Sequence, residues 1–313
     1  MNNPRSPHSA SVLIAGRRDD RQSYDTPQSM ATQLTAVDDQ RSYGAAILED
    51  LLFVFDGQKL QVLDGNDADV SRYDAIFMMG WFKDKMLEDE ALSLAAYAEF
   101  HHIPYRNPEV GVARSNSKLS QCVMAALLGI QITPFVFAQN GQRLLEGVQR
   151  SSLGFPLILK SVRASRGNDN YLVSSLEQLT TIVGERPEIP FIAQTFVPND
   201  GDYRILVMGD KVRFVMHRLA QGDSHLNNTS QGGVATEIPL DAISPKMLEE
   251  AVMIAKRLRR AVTGVDMIVH KETGQHYFLE ANNMPQLSTG SLVDRKMRAL
   301  SDYFDEWLEG EKV

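Results

Sequence analysis

The stretch Gly264–Asn283, GVDMIVHKETGQHYFLEANN, carries two carboxylates and an amide at spacings that suit a hard cation. Two apolar runs flank a Gly-containing turn at Lys271–Gln275, which predicts a hairpin. Side chains alternate along a strand, so Glu280 and Asn282 point to one face. Asp266 sits on the opposing strand, at about the distance from the turn needed to face them. Two carboxylates held close without a cation resist joint ionisation. A divalent ion such as Mg²⁺ removes that conflict, and it prefers few protein oxygens plus ligand phosphates. The plain alternative is a hairpin whose polar residues face water.

Two lysines stand where an anion would suit them. Asn116–Ile130 places Leu119, Cys122, Val123, Ala126 and Leu127 on one helical stripe. Ser115, Asn116 or Ser117 can cap its start and Gly129 can end it. Lys118 then falls in the first turn, where the helix dipole disfavours a cation unless an anion is near. A solvated surface lysine is the alternative. Lys160 closes the apolar run FPLILK ahead of the polar loop Ser161–Asn170. It can meet phosphates there, or simply leave the sheet for water. Asp202 and Arg204 alternate onto one face of a strand, and Gly209-Asp210 turns that strand into Val212–His217 and Arg218. His217 is a candidate base only through its neighbour Arg218 and otherwise reads as a plain strand histidine. Gln221–Gly233 is polar and without period. An exposed loop over a ligand carries that pattern more naturally than a buried one, which would strand many polar groups.

The frame for these residues reads as strands alternating with helices. Ser11–Ala15, Leu51–Phe55, Leu60–Leu63, Ala75–Met79 and Ile103–Arg106 are short apolar runs, with a helix at Met86–Phe100. That alternation predicts an α/β layer with a mainly parallel sheet. Gly16–Tyr43 reads as polar and irregular, long for a loop and so functional or mobile. It is the best candidate for substrate-specific contacts. Asn107-Pro108 marks a plausible unit edge. A small α+β unit follows: strands at Thr133–Ala138, Phe155–Val162 and Tyr171–Ser174, and a helix at Ser175–Val183 with capping-box character from Ser175 to Gln178. Phe191–Val197 is a further apolar run. Met247–Val262 reads as a helix capped by Ser244 with Pro245 at its first position. Its core stripe is Leu248, Ala251, Val252, Ala255 and Leu258, and Lys256, Arg257, Arg259 and Arg260 read as a solvated face. Leu292–Leu308 reads as a helix packing back on the fold.

Composition excludes several classes. The chain has 313 residues, enough for two or three units at ~100–200 residues each. A net charge of −8 argues against a nucleic-acid partner held by a general basic surface. The single cysteine, Cys122, rules out an intramolecular disulfide and a cysteine-cluster metal site, and suits a reducing cytoplasm. It lies on an apolar stripe and reads as core. No apolar run approaches the ~20 residues needed to span a bilayer, so no membrane partner is expected. The N-terminus, MNNPRSPHSA, lacks the apolar core of a signal peptide.

Taken in order, these features resemble the ATP-grasp carboxylate–amine ligases, and within them the RimK-like branch. The resemblance covers roughly Arg114–Leu287. It rests on Lys118, FPLILK with Lys160, QTFV at Gln194–Val197, DYRILVMGDKV at Asp202–Val212, NNTSQGG at Asn227–Gly233, and GVDMIVH followed by YFLEANNMPQL. Their order and spacing together are specific where each alone is weak. The resemblance implies an ATP-grasp fold of three units: an N-terminal α/β domain over residues 1–108, a small central α+β domain over 109–193, and a C-terminal antiparallel-sheet domain with the metal site over 194–313. ATP is expected between the central and C-terminal units, with Mg²⁺, or Mn²⁺ in its place. Lys118 and Lys160 fall on the nucleotide phosphates. Gln194, Thr195, Phe196 and Val197 line the adenine side, the last three through backbone groups, and Asp202 contacts ribose. Asp266, Glu280 and Asn282 hold the metal, with Asn228 near the metal and phosphates. Arg204 and Arg218 stabilise charge on the γ-phosphate or the acyl phosphate.

Two departures stand out. Thr195 replaces a glutamate common in the family's hinge. Leu226 stands where RimK-like members usually carry arginine, which removes a cation from the acceptor side, and His225 beside it reads as exposed. The implied reaction forms an acyl phosphate and then an amide, releasing ADP and phosphate. The Ser161–Asn170 loop is expected to close over the phosphates. The substrates are small-molecule or peptide carboxylates and amines, and a homo-oligomer would be ordinary. A kinase, or a non-catalytic nucleotide-binding relative on the same fold, remains the alternative.

Overall fold

Four consecutive apolar residues, Val12–Ala15, are all buried, which is the pattern of a strand covered on both faces. They open the computed structural model, which describes residues 10–19, 25–55, 60–80, 85–107, 117–162, 169–219 and 234–310. The first part of the chain runs β1 (Ser11–Gly16), α1 (Pro27–Val37), β2 (Ser42–Ile47), β3 (Leu52–Phe55), β4 (Leu60–Leu63), β5 (Ala75–Met78), α2 (Lys85–Phe100) and β6 (Tyr105–Arg106). Strands β2-β1-β5-β6 form a parallel sheet, and β3-β4 a separate hairpin. Leu13, Ile76 and Met78 pack toward α2. Val12, Ile14 and Phe77 pack toward α1.

Helix α1 corrects the reading of Gly16–Tyr43 as irregular. Thr26 and Ser29 form a reciprocal capping box, each side chain accepting the other's backbone N–H at 3.1 Å, with Pro27 at the helix start. Met30, Ala31 and Leu34 bury one face. The stripe is short and flanked by Gln and Thr, so little in its periodicity announces a helix.

The middle of the chain runs α3 (Lys118–Leu127), β7 (Phe135–Phe137), α4 (Gly141–Arg150), β8 (Leu157–Ser161), β9 (Asn170–Val173), α5 (Leu176–Glu185) and β10 (Phe191–Thr195). The antiparallel sheet β7-β10-β8-β9 packs one face on α4 and α5. Ser175 caps α5, accepting from Gln178 N at 3.2 Å, while the Gln178 side chain accepts from Ser174 N. The last part runs β11 (Asp202–Met208), β12 (Lys211–Leu219), β13 (Val234–Glu237), α6 (Pro245–Arg257), β14 (Val262–Val269), β15 (His276–Asn282) and α7 (Val293–Gly310). These five strands form an antiparallel sheet in the order β13-β12-β11-β14-β15. Ile205, Val207, Val265 and Met267 face α6. On the other face Leu206, Met208 and Phe214 join α7 and the parallel sheet in one core.

Helix α6 stops at Arg257, not Val262, because Arg259 turns into the left-handed region at φ +55° and Val262 already belongs to β14. Its buried stripe is Met247, Glu250, Ala251, Ile254 and Ala255. Glu250 is buried because it meets His276 Nε2 at 2.9 Å. Arg260 also departs from the expected solvated face. It is buried and donates to Ala281 O at 2.6 Å. Asn107 joins two sheets, donating to Met78 O and accepting from Val262 N, while Pro108 lies outside the described residues. No helix among the described residues is long and apolar enough to cross a membrane.

Candidate active site

The hairpin read from sequence forms between β14 and β15, with Asp266 paired to Glu280 and Gly264 to Asn282 across an irregularity after Asp266. The three polar side chains converge. Asn282 Nδ2 lies 3.2 Å from Asp266 Oδ2 and 3.2 Å from Glu280 Oε1. No group of three or more His, Cys, Asp or Glu side chains that could hold a metal occurs among the described residues; the third donor here is an amide.

Asp266 is engaged from behind. Strand β11 sits between β12 and β14, so Asp202 pairs with Arg218 and Arg204 with Asp266. Arg204 grips Asp266 with two bonds of 2.7 Å, from Nε and Nη2. Arg218 holds Asp202 through Nε and Nη2 and reaches Asp266 Oδ2 at 3.0 Å. Two carboxylates and two guanidiniums thus close a buried network that is neutral overall. Burial pushes Asp202 up to about 6 against the pull of Arg218. Burial also opposes ionisation of Asp266, but Arg204 and Arg218 overcome it and hold the carboxyl below its ordinary value. Gly264 makes room for this: a Cβ there would lie 2.9 Å from Arg204 Cδ and 2.7 Å from Pro285 Cβ.

The lysines arrive from the middle of the chain. Ser117 caps α3, accepting from Ser120 N at 3.2 Å, which sets Lys118 in the first turn. Lys118 Nζ lies 3.9 Å from Glu280 Oε2. Gln121, a turn later, bonds both backbone groups of Ala281, at 2.7 Å to its N–H and 3.2 Å to its carbonyl. It thereby fastens α3 to the edge strand that carries Glu280 and Asn282. Lys160, next to last in β8, lies within electrostatic reach of Glu280 and Lys118. Burial lowers its ammonium below the ordinary lysine value, and the Lys118 charge acts in the same direction. No hydrogen bond or ion pair among the described residues satisfies that ammonium. Lys118 and Lys160 thus lie on the same side of the hairpin as Glu280, where they can meet an anion.

The expected adenine side lies along β10. Gln194 is 2 % exposed, and its Nε2 donates to Thr133 Oγ1 at 3.1 Å while Oε1 has no partner. A buried acceptor left open asks for a donor from elsewhere. The backbone N–H groups of Thr195 and Phe196 are taken by Pro134 O and Pro156 O, which leaves that of Val197. Asp202, expected on the ribose side, has both oxygens engaged by Arg218. His217 lies on the opposite face of β12 from Arg218, stacked on Tyr203 at 4.6 Å, and burial lowers its pKa. Cys122 is buried, and burial pushes its thiol up. Asn228, His225, Leu226 and most of the Ser161–Asn170 loop lie outside the described residues.

Gln121, Arg260 and Asn107 were not singled out as site residues from sequence. Gln121 lies off the stripe read from sequence: α3 buries Gln121, Cys122 and Ala125, while Val123 and Leu127 of that stripe are exposed. Arg260 and Asn107 act on partners 21 and 155 residues away, which no local pattern encodes.

Residues 114–297 match the family model of the RimK-like ATP-grasp domain. A probable alpha-L-glutamate ligase of Cellvibrio japonicus is 27% identical over 182 residues, covering 57% of this chain and 58% of its own length. Human N-acetylaspartylglutamate synthase A is 28% identical over 133 residues, covering 42% of this chain and 33% of its own. The chain therefore spans little more than half the length of the first of these relatives. Among solved structures, the macrocyclase MdnC of Microcystis aeruginosa, bound to its precursor peptide, superposes with a TM-score of 0.66 at 16% identity, covering 95% of this chain and 99% of that one. D-alanyl-alanine synthetase A of Vibrio cholerae superposes at 0.63 with 13% identity, covering 98% and 99%. The architecture, with its three larger sheets, is that of the ATP-grasp fold. With the family model spanning more than half of the residues, and with the hairpin and lysines inside it, the chain belongs to the RimK-like ATP-grasp family.

Proposed function

We propose that the protein is an ATP-dependent ligase that joins a carboxylate to an amine and releases ADP and phosphate. One observation carries this reading. Two lysines from separate elements approach Glu280, which converges with Asp266 and Asn282 in front of two buried arginines. The names of the curated relatives, glutamate ligases and a synthase, support the same chemistry.

The donor set fits a hard divalent cation, Mg²⁺ or Mn²⁺ in its place. It offers oxygen alone, with two anionic groups and one neutral one. Asp266 Oδ1 accepts a single hydrogen bond and keeps a second lone pair. A half-turn of the Asn282 amide brings its oxygen to the point now held by Nδ2. Asp266, Glu280 and Asn282 would hold the ion, which when bound neutralises phosphate charge and polarises the transferring group.

The chain's own groups account for the rest. Lys118 and Lys160 bind the phosphates of ATP. Gln194 Oε1 accepts from the adenine amino group, and the Val197 N–H donates to the ring. Asn228 stands near the phosphates by family resemblance. Arg204 and Arg218 stabilise charge on the γ-phosphate or the acyl phosphate. A carboxylate oxygen attacks the γ-phosphorus, the bond to ADP breaks, and an acyl phosphate forms. A neutral amine attacks the acyl carbon, phosphate leaves, and the amine proton passes to solvent. Neither step needs a covalent bond to the protein, so positioning and charge neutralisation supply the catalysis. The Ser161–Asn170 loop covers the phosphates and excludes water. In this reading the chain works as units over 1–108, 109–193 and 194–313, in the cytoplasm, on amino-acid or peptide substrates.

A screen of amino-acid and peptide pairs for ADP release, with product masses, tests it. ADP release that needs both acid and amine, with a product lighter than the sum by one water, is expected. A phosphorylated acid without amide, or nucleotide binding without turnover, overturns it.

A further inference from the structure

The segment after β15 is held in a conformation the chain itself disfavours. Gln286 and Leu292 have φ +58° and Gly290 has φ +73°. Non-glycine residues enter the left-handed region only when their surroundings impose it, and such strain clusters where function uses the shape. Here the imposing groups are identifiable, and the main one comes from the other end of the chain.

Asp25 is 4 % exposed and sits just before α1. Its Oδ2 accepts from Leu287 N at 2.7 Å. Its Oδ1 accepts from Ser288 N, Ser288 Oγ and Thr289 Oγ1, each at 3.0 Å. From the opposite side Lys296, 2 % exposed on α7, donates to Gln286 O and, at 2.6 Å, to Thr289 O. The loop's donors thus meet a carboxylate and its carbonyls meet an ammonium. Gln33 on α1 adds a bond to Ser288 O at 2.8 Å.

What the loop walls is a narrow cleft lined by Arg204, Arg218, Pro285, Thr289, Ser291 and Lys296. The same arginines back the Asp266 cluster, so the recess adjoins the candidate site.

We infer that Asp25 is a positioning residue that, with Lys296, fixes loop 285–291 as one wall of the substrate recess, so that the N-terminal part of the chain sets substrate recognition without touching nucleotide. The identity of the recess rests on the ligase reading; the clasp itself does not. Asp25 acts only through the loop. Changing it alters where the wall stands and leaves the lysines, Gln194 and the metal cluster as they are.

The test is Asp25→Asn, which keeps size and removes one acceptor. The whole chain is used, with the amino-acid pair that gives most ADP release in the screen, L-glutamate included. The expected result is a KM for the amino acids raised at least about tenfold, the scale of a lost positioning contact, with the KM for ATP within about twofold. Hydrogen exchange should quicken over 285–291 and stay unchanged over β14 and β15. Gln33→Met, on a half-buried helix position, should move both readouts the same way by less, and it decides the matter if Asp25→Asn does not fold. Parallel rises in the two KM values, or unchanged exchange over 285–291, overturn the inference. If wild type turns over no pair, the ligase reading fails, and exchange with AMPPNP affinity decides. Quickened exchange confined to the loop at unchanged affinity supports the clasp, and any other pattern overturns it.

Discussion

The parallel sheet around β1 and the antiparallel sheet around β11 are equally buried, yet they spend burial differently. Every residue of Val12–Ala15 and Ala75–Met78 is apolar and covered. Along β11 the face bearing Asp202, Arg204, Leu206 and Met208 is buried too, but charged at one end and apolar at the other. The apolar end joins the core shared with α1 and α7. The charged end backs the candidate site. Apolar burial is non-directional and tolerates change in small increments. A buried charge is stable only while its partners stay in place. One sheet is therefore a scaffold, and one end of the other is a device whose parts depend on each other.

The sharpest way to break that distinction is Asp266→Asn. It leaves Arg204 and Arg218 sharing only Asp202, with an uncompensated buried charge. A loss of ~3–5 kcal/mol is expected, the cost of removing one partner from a buried ion pair, read by urea denaturation. Ligase activity should vanish with it. A loss under about 1 kcal/mol would mean that water reaches the network, and the two sheets would then not differ in kind.

Glu280→Gln separates chemistry from stability on the same hairpin. Glu280 is half-exposed and its nearest cation, Lys118, is 3.9 Å away, so folding should change little. The expected loss is ~10²–10³ in kcat for amine-dependent ADP release, the scale of one lost electrostatic stabiliser. Activity near wild type would remove Glu280 from the cation site.

Much of this was legible before any coordinates. Period-two alternation put Asp266, Glu280 and Asn282 together, and helix capping put Lys118 in a first turn. Those signals are local, because the turn and cap lie within a few residues of the groups they place. What escaped is long-range. Asp25 and Ser288 are 263 residues apart, and Gln121 and Ala281 are 160 apart. Helix α1 escaped for another reason: its cap is good but its stripe is thin, and tertiary packing rather than periodicity holds it. Arg260 read as solvated because a run of basic residues normally is, and only the Ala281 carbonyl across the fold makes its burial tolerable.

The scaffold sheet should respond in small steps. Ile14→Val removes one buried methylene and should cost ~0.5–1.5 kcal/mol, again by urea denaturation. KM for ATP and for amino acids should stay within experimental scatter. A change in either KM would show that β1 transmits its packing through the shared core to the Arg204 end of β11, contrary to the division drawn here.

The smallest effect belongs to a third kind of charge, at the surface. Glu306 on α7 meets Arg213 at 2.5 Å and Lys211 at 3.0 Å on β12. Those cations, Arg213 first, hold its carboxyl down at about 2. The folded value lies below the ordinary one, so the unfolded chain takes up this proton first as pH falls. The contribution is therefore complete above about 4.5 and is lost as pH drops toward 2. Glu306 is 43% exposed, so screening keeps the worth of the cluster at ~0.2–1 kcal/mol. Glu306→Gln should lower stability by that much at pH 7 and by nothing near pH 2, and 1 M salt should erase the pH 7 difference. The Asp266 network, dry and enclosed, should keep its effect in the same salt. If salt erased both, the charges behind the site would behave as surface charges, and the buried end of β11 would lose its special standing.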